Sequence, residues 1–368
     1  MILDRLVSHD RPRNRWLALL LVAIVVALAL TPFVFPGTRA LNVAAKIIVF
    51  IVLAASFDLL LGYTGIVSFA HTMFFGIGAY GIAIAATRIG PSWGALAAGA
   101  LAALALSALL SLLIGLFSLR VKAIFFAMIT LAVASAFLTL ASQLSEITGS
   151  EDGLTFKVPE ALQPGTSYAA EPFLGASVDG RLLTYYLLFA AGLVLVLALL
   201  RIVNSPFGRV LQAIRENDFR AEAIGYRTVV YRTVASVVSA LFATLAGMLY
   251  AIWLRYNGPD TTLSFEIMLD VLLIVVIGGM GTVYGAAVGS VLLVLAQNYL
   301  QDLLKRGADR VQDIPVLSQI VSPDRWLLWL GILFVLSVYF FPSGVVGRLR
   351  AMRASKASSA SGSTGLTR

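Results

Sequence analysis

The 368-residue chain has no cysteine and only two histidines, His9 and His71. The first absence excludes disulfides and thiolate metal sites and leaves the redox compartment open. The second leaves too few imidazoles to build a metal site by themselves. Charge is scarce as well. Asp, Glu, Lys and Arg make up 12% of the chain, against about 25% in ordinary globular proteins. No G-x-x-x-x-G-K-[ST] stretch occurs, so no nucleotide-cradling loop is present and ATP hydrolysis by this chain alone is not expected. The ten-residue alternation of an outer-membrane barrel is also missing. What fills the chain instead is apolar: 59% of residues are hydrophobic and the mean hydropathy is +0.91. In lipid every backbone polar group must be bonded internally, so helices are the expected elements. The expected class is all-α and polytopic.

Apolar runs fall near 16–35, 41–61, 66–87, 93–118, 123–145, 183–203, 228–252, 265–280, 282–301 and 325–342. About 20 apolar residues cross a bilayer. Short glycine turns divide the runs near 61–66 and 278–282, so eight to ten spans are expected. The net charge of +8 is not a nucleic-acid signal, because the basic residues cluster beside apolar runs. The clusters are Arg5, Arg11, Arg13 and Arg15; Arg120 and Lys122; Arg201, Arg209, Arg215, Arg220, Arg227 and Arg232; and Arg348, Arg350, Arg353 and Lys356. Ten spans with both termini in the cytoplasm place all of them inside. Lys305, Arg306 and Arg310 fall outside, accompanied by Asp302, Asp309 and Asp313. The first apolar run lacks a small-x-small cleavage signal directly after it, so it reads as an uncleaved span.

This layout divides the chain into a cytoplasmic segment 1–15, a transmembrane body 16–347 and a cytoplasmic tail 348–368 whose small polar residues read as disordered. Residues 146–182 and 302–324 form two polar loops on the outer side, the first rich in acids. Trp16, Trp93, Trp253, Trp326 and Trp329 lie near span ends, as an aromatic belt does.

One segment inside the body is conspicuously polar, SPFGRVLQAIRENDFRAEAIG at 205–225. Ser205 can cap a helix, Pro206 suits its first position, and Gly225 suits its end. Phe207, Val210, Leu211 and Ile214 recur on one face, with Arg209, Arg215 and Glu216 elsewhere. Asn217-Asp218 divides the stretch into two short helices. Either a solvated interhelical loop or an amphipathic pair that transmits force fits this pattern.

Glycines punctuate two other regions. LGYTGIV at 61–67 lines up with IGGMGTV at 277–283, and Ala70 then matches Ala286, an echo of the kind internal repeats leave in transporters. Tight turns and small-residue packing account for such glycines equally well. Ionisable residues near the membrane are few: Lys46, Asp58, His71, Glu146, Glu266 and Asp270. An intramembrane charge is a functional candidate by default. His71 follows Ser68 by three residues and could share its helix face, but the sequence names no acidic partner for a proton relay.

In this order, LGYTGIVSFAHTMFFGIGAY (61–80), TGSEDGL (148–154), SPFGRVLQAIRENDFRAEAIGY (205–226), IGGMGTVYGAAVGS (277–290) and FPSGVVGRLR (341–350) resemble the LivM-type permease family of ATP-binding-cassette importers for branched-chain amino acids. The resemblance runs from about 41 to 350. It implies a multi-pass bacterial inner-membrane subunit that is not itself an enzyme. Its implied partners are a sister permease, two cytoplasmic ATPases that carry ATP and Mg, and a periplasmic solute-binding protein. This chain would bind no cofactor or metal itself. The resemblance further implies that 205–226 is the ATPase-coupling element, with Ser205, Pro206, Phe207, Gly208, Arg209, Ile214, Arg215, Glu216, Glu222, Ala223 and Gly225 as candidates. Glu222, Ala223 and Gly225 echo the "EAA" loop of importers, although the glycine lies further from the Glu-Ala-Ala in the wider pattern. Candidates for the translocation pathway are Gly62, Tyr63, Gly65, Ser68, His71, Gly278, Gly279 and Gly281. Relatives adapted to urea, short amides or other amino acids leave the substrate open. A stand-alone ion-coupled transporter is the reading from another class, and the scarcity of deep carboxylates counts against it. A membrane-embedded enzyme would need a catalytic constellation, and no such set is found.

Overall fold

A computed structural model describes residues 15–118, 123–168, 178–310, 322–341 and 344–347. The segment 1–14, the basic pair Arg120 and Lys122, and the tail 348–368 lie outside the described residues. Among the described residues ten long helices follow one another: α1 (Arg15–Val34), α2 (Thr38–Thr64), α3 (His71–Arg88), α4 (Trp93–Ser118), α5 (Ala123–Gln143), α6 (Gly180–Val203), then, after two short ones, α9 (Thr228–Leu254), α10 (Phe265–Gly278), α11 (Val283–Arg310) and α12 (Trp326–Phe340). The short pair is α7 (Pro206–Glu216) and α8 (Asp218–Ala223).

Among the described residues, nine helical stretches are long and apolar enough to cross a membrane, the stretch Pro259–Gly278 counting as one. Helix α3, 18 residues long and largely buried, is not among the nine. The sequence places its run at 66–87, yet α3 starts only at His71. Gly65 turns left-handed at φ 73° and closes α2, which leaves 65–68 without helical structure. The expected polar loop 302–324 also differs, because α11 continues through Arg310 before the described residues stop.

Helix α2 is the axis of the bundle and is almost wholly buried, whereas α1, α4, α5 and α12 expose long apolar faces. Leu101, Leu109, Ile124 and Phe125 are examples of these exposed side chains. Faces of that size are stable only against lipid or another protein. Helices α3 and α9 approach so closely that a Cβ on Gly78 would strike the Thr244 carbonyl and one on Gly247 the Phe75 carbonyl. Small residues allow that approach, which is how helices associate where hydrophobicity supplies no drive. Gly78→Ala and Gly247→Ala are each expected to lower stability by about 1–3 kcal/mol through overpacking. Gly331→Ala, with nothing within 4 Å of its Cβ position, is expected to be neutral or stabilising. Unfolding of the detergent-solubilised protein checks all three.

The two ends of the bundle differ. At one end, strand β1 (Leu154–Thr155) pairs antiparallel with β2 (Tyr256–Asn257), tying the long loop after α5 to the loop after α9. Residues 169–177 of that long loop lie outside the described residues. Arg181 donates to Thr38 Oγ1 at 3.1 Å and lies over the Trp253 ring, whose Nε1 donates to Asn42 at 3.2 Å. Trp253 is therefore a buried packing residue and not part of an exposed aromatic belt. The opposite end carries α7 and α8.

Candidate functional site

The helix pair is set by local chemistry. Ser205 holds extended backbone geometry, and its Oγ accepts the Gly208 N–H at 3.4 Å; Pro206 occupies the first turn, where a missing donor costs nothing. Asn217 breaks the stretch, and its side chain accepts the Arg220 N–H at 2.9 Å to start α8. Gly225, at φ 97°, ends it with its N–H on the Glu222 carbonyl.

The inward face consists of Gly208, Leu211, Ile214 and Ala221, all buried. A Cβ on Gly208 would collide with the Val203 backbone, so the glycine lets α7 fold back tightly under α6. Phe207 stacks on Tyr231 at 5.8 Å, and Arg232 bonds Asp218 at 3.0 Å, which fixes both short helices to α9. Glu222 accepts the Thr228 hydroxyl at 2.7 Å, so its carboxylate already has an internal partner. Arg209, Glu216 and Ala223 face outward. Phe219 is 86% exposed and Ile224 67%. Phe219 is not among the residues the sequence singles out, although an aromatic off the apolar face of an otherwise polar helix is a readable signal.

Arg215 does something the sequence does not disclose. Its guanidinium donates to the Gly62 carbonyl at the end of α2. Its stem passes Gly65, where a Cβ would come 3.3 Å from Arg215 Cγ, and its Nη1 lies 3.1 Å from the Cβ position of Gly281. Both glycines need positive φ, 73° and 79°, and both need the space. From the other side Asp58, one turn before Gly62 and 1% exposed, accepts the Gly281 N–H at 2.8 Å. The two echoing glycine turns, 61–67 and 277–283, thus meet in space, clasped by Asp58 and Arg215. Thr282 completes the second turn by donating to the Gly279 carbonyl at 2.8 Å and accepting the Gly285 N–H at 3.1 Å. Residues 344–347 close on the same place: a Cβ on Gly344 would strike the Gly279 backbone, and Val346 is fully buried. Gly278 packs against Gly285, and Tyr63 is buried in the core. Four segments far apart in sequence therefore converge at one end of the bundle.

Asp58 works here as a backbone acceptor. Asp58→Leu would orphan the Gly281 N–H and is expected to cost about 1–3 kcal/mol, with Asp58→Asn, which keeps an acceptor oxygen, costing less. Thermal unfolding of the purified protein distinguishes the two.

His71 lies elsewhere. Its Nε2 is 2.9 Å from Ser56 Oγ, which also donates to the Leu53 carbonyl at 2.7 Å, so the histidine serves as the donor to Ser56. Phe57 meets the ring edge-on at 5.3 Å. Ser239 donates to the Ser56 carbonyl at 2.5 Å and ties α9 into the same knot. Ser68 precedes α3 in the non-helical segment, so it does not share a helix face with His71. Nearer the strand end, Lys46, Gln297 and Asp270 form a polar chain on α2, α11 and α10. Gln297 donates to Asp270 at 2.7 Å and accepts from Lys46 at 3.4 Å. Among the described residues no group of three or more His, Cys, Asp or Glu is placed to hold a metal ion.

Residues 39–347 match the family described as "Branched-chain amino acid transport system / permease component". The chain is 26% identical over 323 residues to the high-affinity branched-chain amino acid transport system permease protein LivM of Salmonella typhimurium, covering 84% of this chain and 74% of that protein. Against the protein of the same name from Escherichia coli it is 27% identical over 324 residues, with the same two coverages. No solved structure matches. The match spans nine of the ten long helices, the glycine junction and the capped helix pair. The chain therefore belongs to the family of branched-chain amino acid transport system permease components.

Proposed function

We propose that this chain is the inner-membrane permease subunit of an ATP-binding-cassette importer for branched-chain amino acids, and that α7 and α8 are where an ATPase subunit drives it. The family and its relatives support the transport role. The observation that carries the coupling role is the junction: Arg215 bonds the helix pair to the Gly62 carbonyl at the end of α2 and packs against Gly281 of the α10–α11 turn, which Asp58 of α2 holds in turn. A push on α7 therefore reaches the axial helix without passing through a flexible loop. The end bearing α7 and α8 faces the cytoplasm, in keeping with its arginines. The strand end then faces outward, where a solute-binding protein would dock.

Transport follows as a population shift. A sister permease completes the pathway, and two ATPases carry ATP and Mg. ATPase closure favours one arrangement of the helix pair, and the loaded binding protein favours the outward-open mouth. Each partner shifts the equilibrium only by its differential affinity for the two states. Leucine, isoleucine and valine combine an apolar side chain with a zwitterionic head, which suits a pathway of apolar walls and few polar groups.

Reconstitution in vesicles with the sister permease, ATPases and binding protein tests this reading. ATP inside the appropriate compartment should drive uptake of radiolabelled leucine, isoleucine and valine. Uptake of urea or short amides in their place would overturn the substrate class, and uptake indifferent to ATP would overturn the importer reading.

A further inference from the structure

The chain Lys46–Gln297–Asp270 is used neither by the junction nor by the core. Lys46 lies eight residues into α2 and Asp270 five residues into α10, so at 1.5 Å per residue they sit about 12 Å and about 8 Å below the strand end. Both charges are thus within the membrane-spanning part. All three side chains are only half-buried, and the lysine ammonium rests 5.1 Å from the Phe50 ring centre.

The arrangement is not a closed ion pair. Lys46 and Asp270 make no direct contact; the Gln297 amide stands between them, accepting from one and donating to the other. Two charges that served only to hold helices together would close on each other, because lipid offers no hydration to compete. Nor is the opening toward lipid stable, since an intramembrane charge turns to the bundle interior or to a water-filled space. The mixture of signs also matters. A sodium or other hard-cation site would present oxygen ligands alone, whereas here one ammonium and one carboxylate are held apart on neighbouring helices. The two signs complement those of an amino-acid head: its carboxylate to Lys46, its ammonium to Asp270, with the Gln297 amide, which already accepts from one and donates to the other, able to serve either. Glu266, exposed one turn closer to the strand end on the same helix, marks the polar entry to this face.

We propose that Lys46, Gln297 and Asp270 form a head-group site for a zwitterionic amino acid on the outer half of the translocation pathway. The proposal rests on the importer reading above. The absence of native cysteine gives it a direct test, because a single introduced thiol is the only one on this chain. In the assembled transporter, Gln297→Cys is expected to react with a membrane-impermeant cationic methanethiosulfonate reagent added from the outer side. At saturating leucine, supplied with the binding protein, labelling should slow at least about tenfold. Absence of labelling, as burial against lipid or the sister subunit would give, overturns the site; so does labelling that leucine leaves unchanged. Should Gln297→Cys fail to assemble, Asp270→Cys is the second reporter, with the same outcomes. ATP-driven uptake by the unsubstituted complex is measured alongside. An active importer with an unprotected thiol refutes the head-group site alone, and an inactive one refutes the reading beneath it.

Discussion

Arg215→Glu is expected to uncouple the transporter: ATPase subunits still co-purify, while ATP-driven uptake falls at least about tenfold. A charge-assisted hydrogen bond contributes about 1.5–3 kcal/mol, equivalent to roughly ten- to a hundredfold in the equilibrium between two arrangements. The substitution removes the donor to the Gly62 carbonyl and sets a second carboxylate near Asp58, which is 1% exposed and already holds the Gly281 N–H. Arg215 is itself exposed, but its guanidinium turns to the Gly62 carbonyl, and Arg209, Glu216 and Phe219 keep their outward-facing side chains. ATPase binding and force transmission therefore separate. Arg215→Lys is a useful companion, because a lysine can donate to Gly62 but lacks the planar guanidinium that packs beside Gly281. Its expected uptake lies between the two. Parallel measurement of co-purified ATPase and initial uptake rates decides the matter, and equal loss of both would assign Arg215 to the docking face instead.

Phe219→Ala is expected to do the reverse, weakening ATPase association by about thirtyfold or more. Aromatic residues that fill a partner's pocket commonly lose 2 kcal/mol or more on truncation. Phe219 is 86% exposed, on a helix fixed by the Asn217 cap and the Asp218–Arg232 bond. Among the described residues nothing covers this aromatic ring. Because it contributes nothing to the junction, the isolated chain should retain its stability, and titration of purified ATPase onto the solubilised permease reads the change directly.

These two residues show where sequence reading succeeds and where it stops. The helix pair was legible almost atom for atom, because caps, a leading proline and a left-handed glycine act within a few residues of themselves. Ser205, Asn217 and Gly225 hold the places their chemistry indicates. The spans were legible because lipid leaves helices as the expected answer. The clasp around Gly62 was not, since Arg215 and Gly62 lie 153 residues apart and Asp58 and Gly281 223 apart. The glycine echo hinted that 61–67 and 277–283 are related, but not that they touch. His71 is a parallel case: sequence spacing points to Ser68, while the fold supplies Ser56 from the neighbouring helix. Glu222, a docking candidate by resemblance, stays exposed but also accepts the Thr228 hydroxyl, a contact that spacing does not announce. Periodicity shows which face of a helix is apolar; it does not show which polar group will arrive from another helix.

The central claim is that α7 and α8 carry the ATPase. Its most direct measurement places a photo-crosslinking benzoylphenylalanine at position 219 of the assembled transporter, where the native residue is an exposed Phe. Irradiation is expected to join this chain to an ATPase subunit, with a yield that changes when ATP is added. A crosslink to lipid alone, or to the sister permease with no ATPase adduct in either nucleotide condition, would contradict the account.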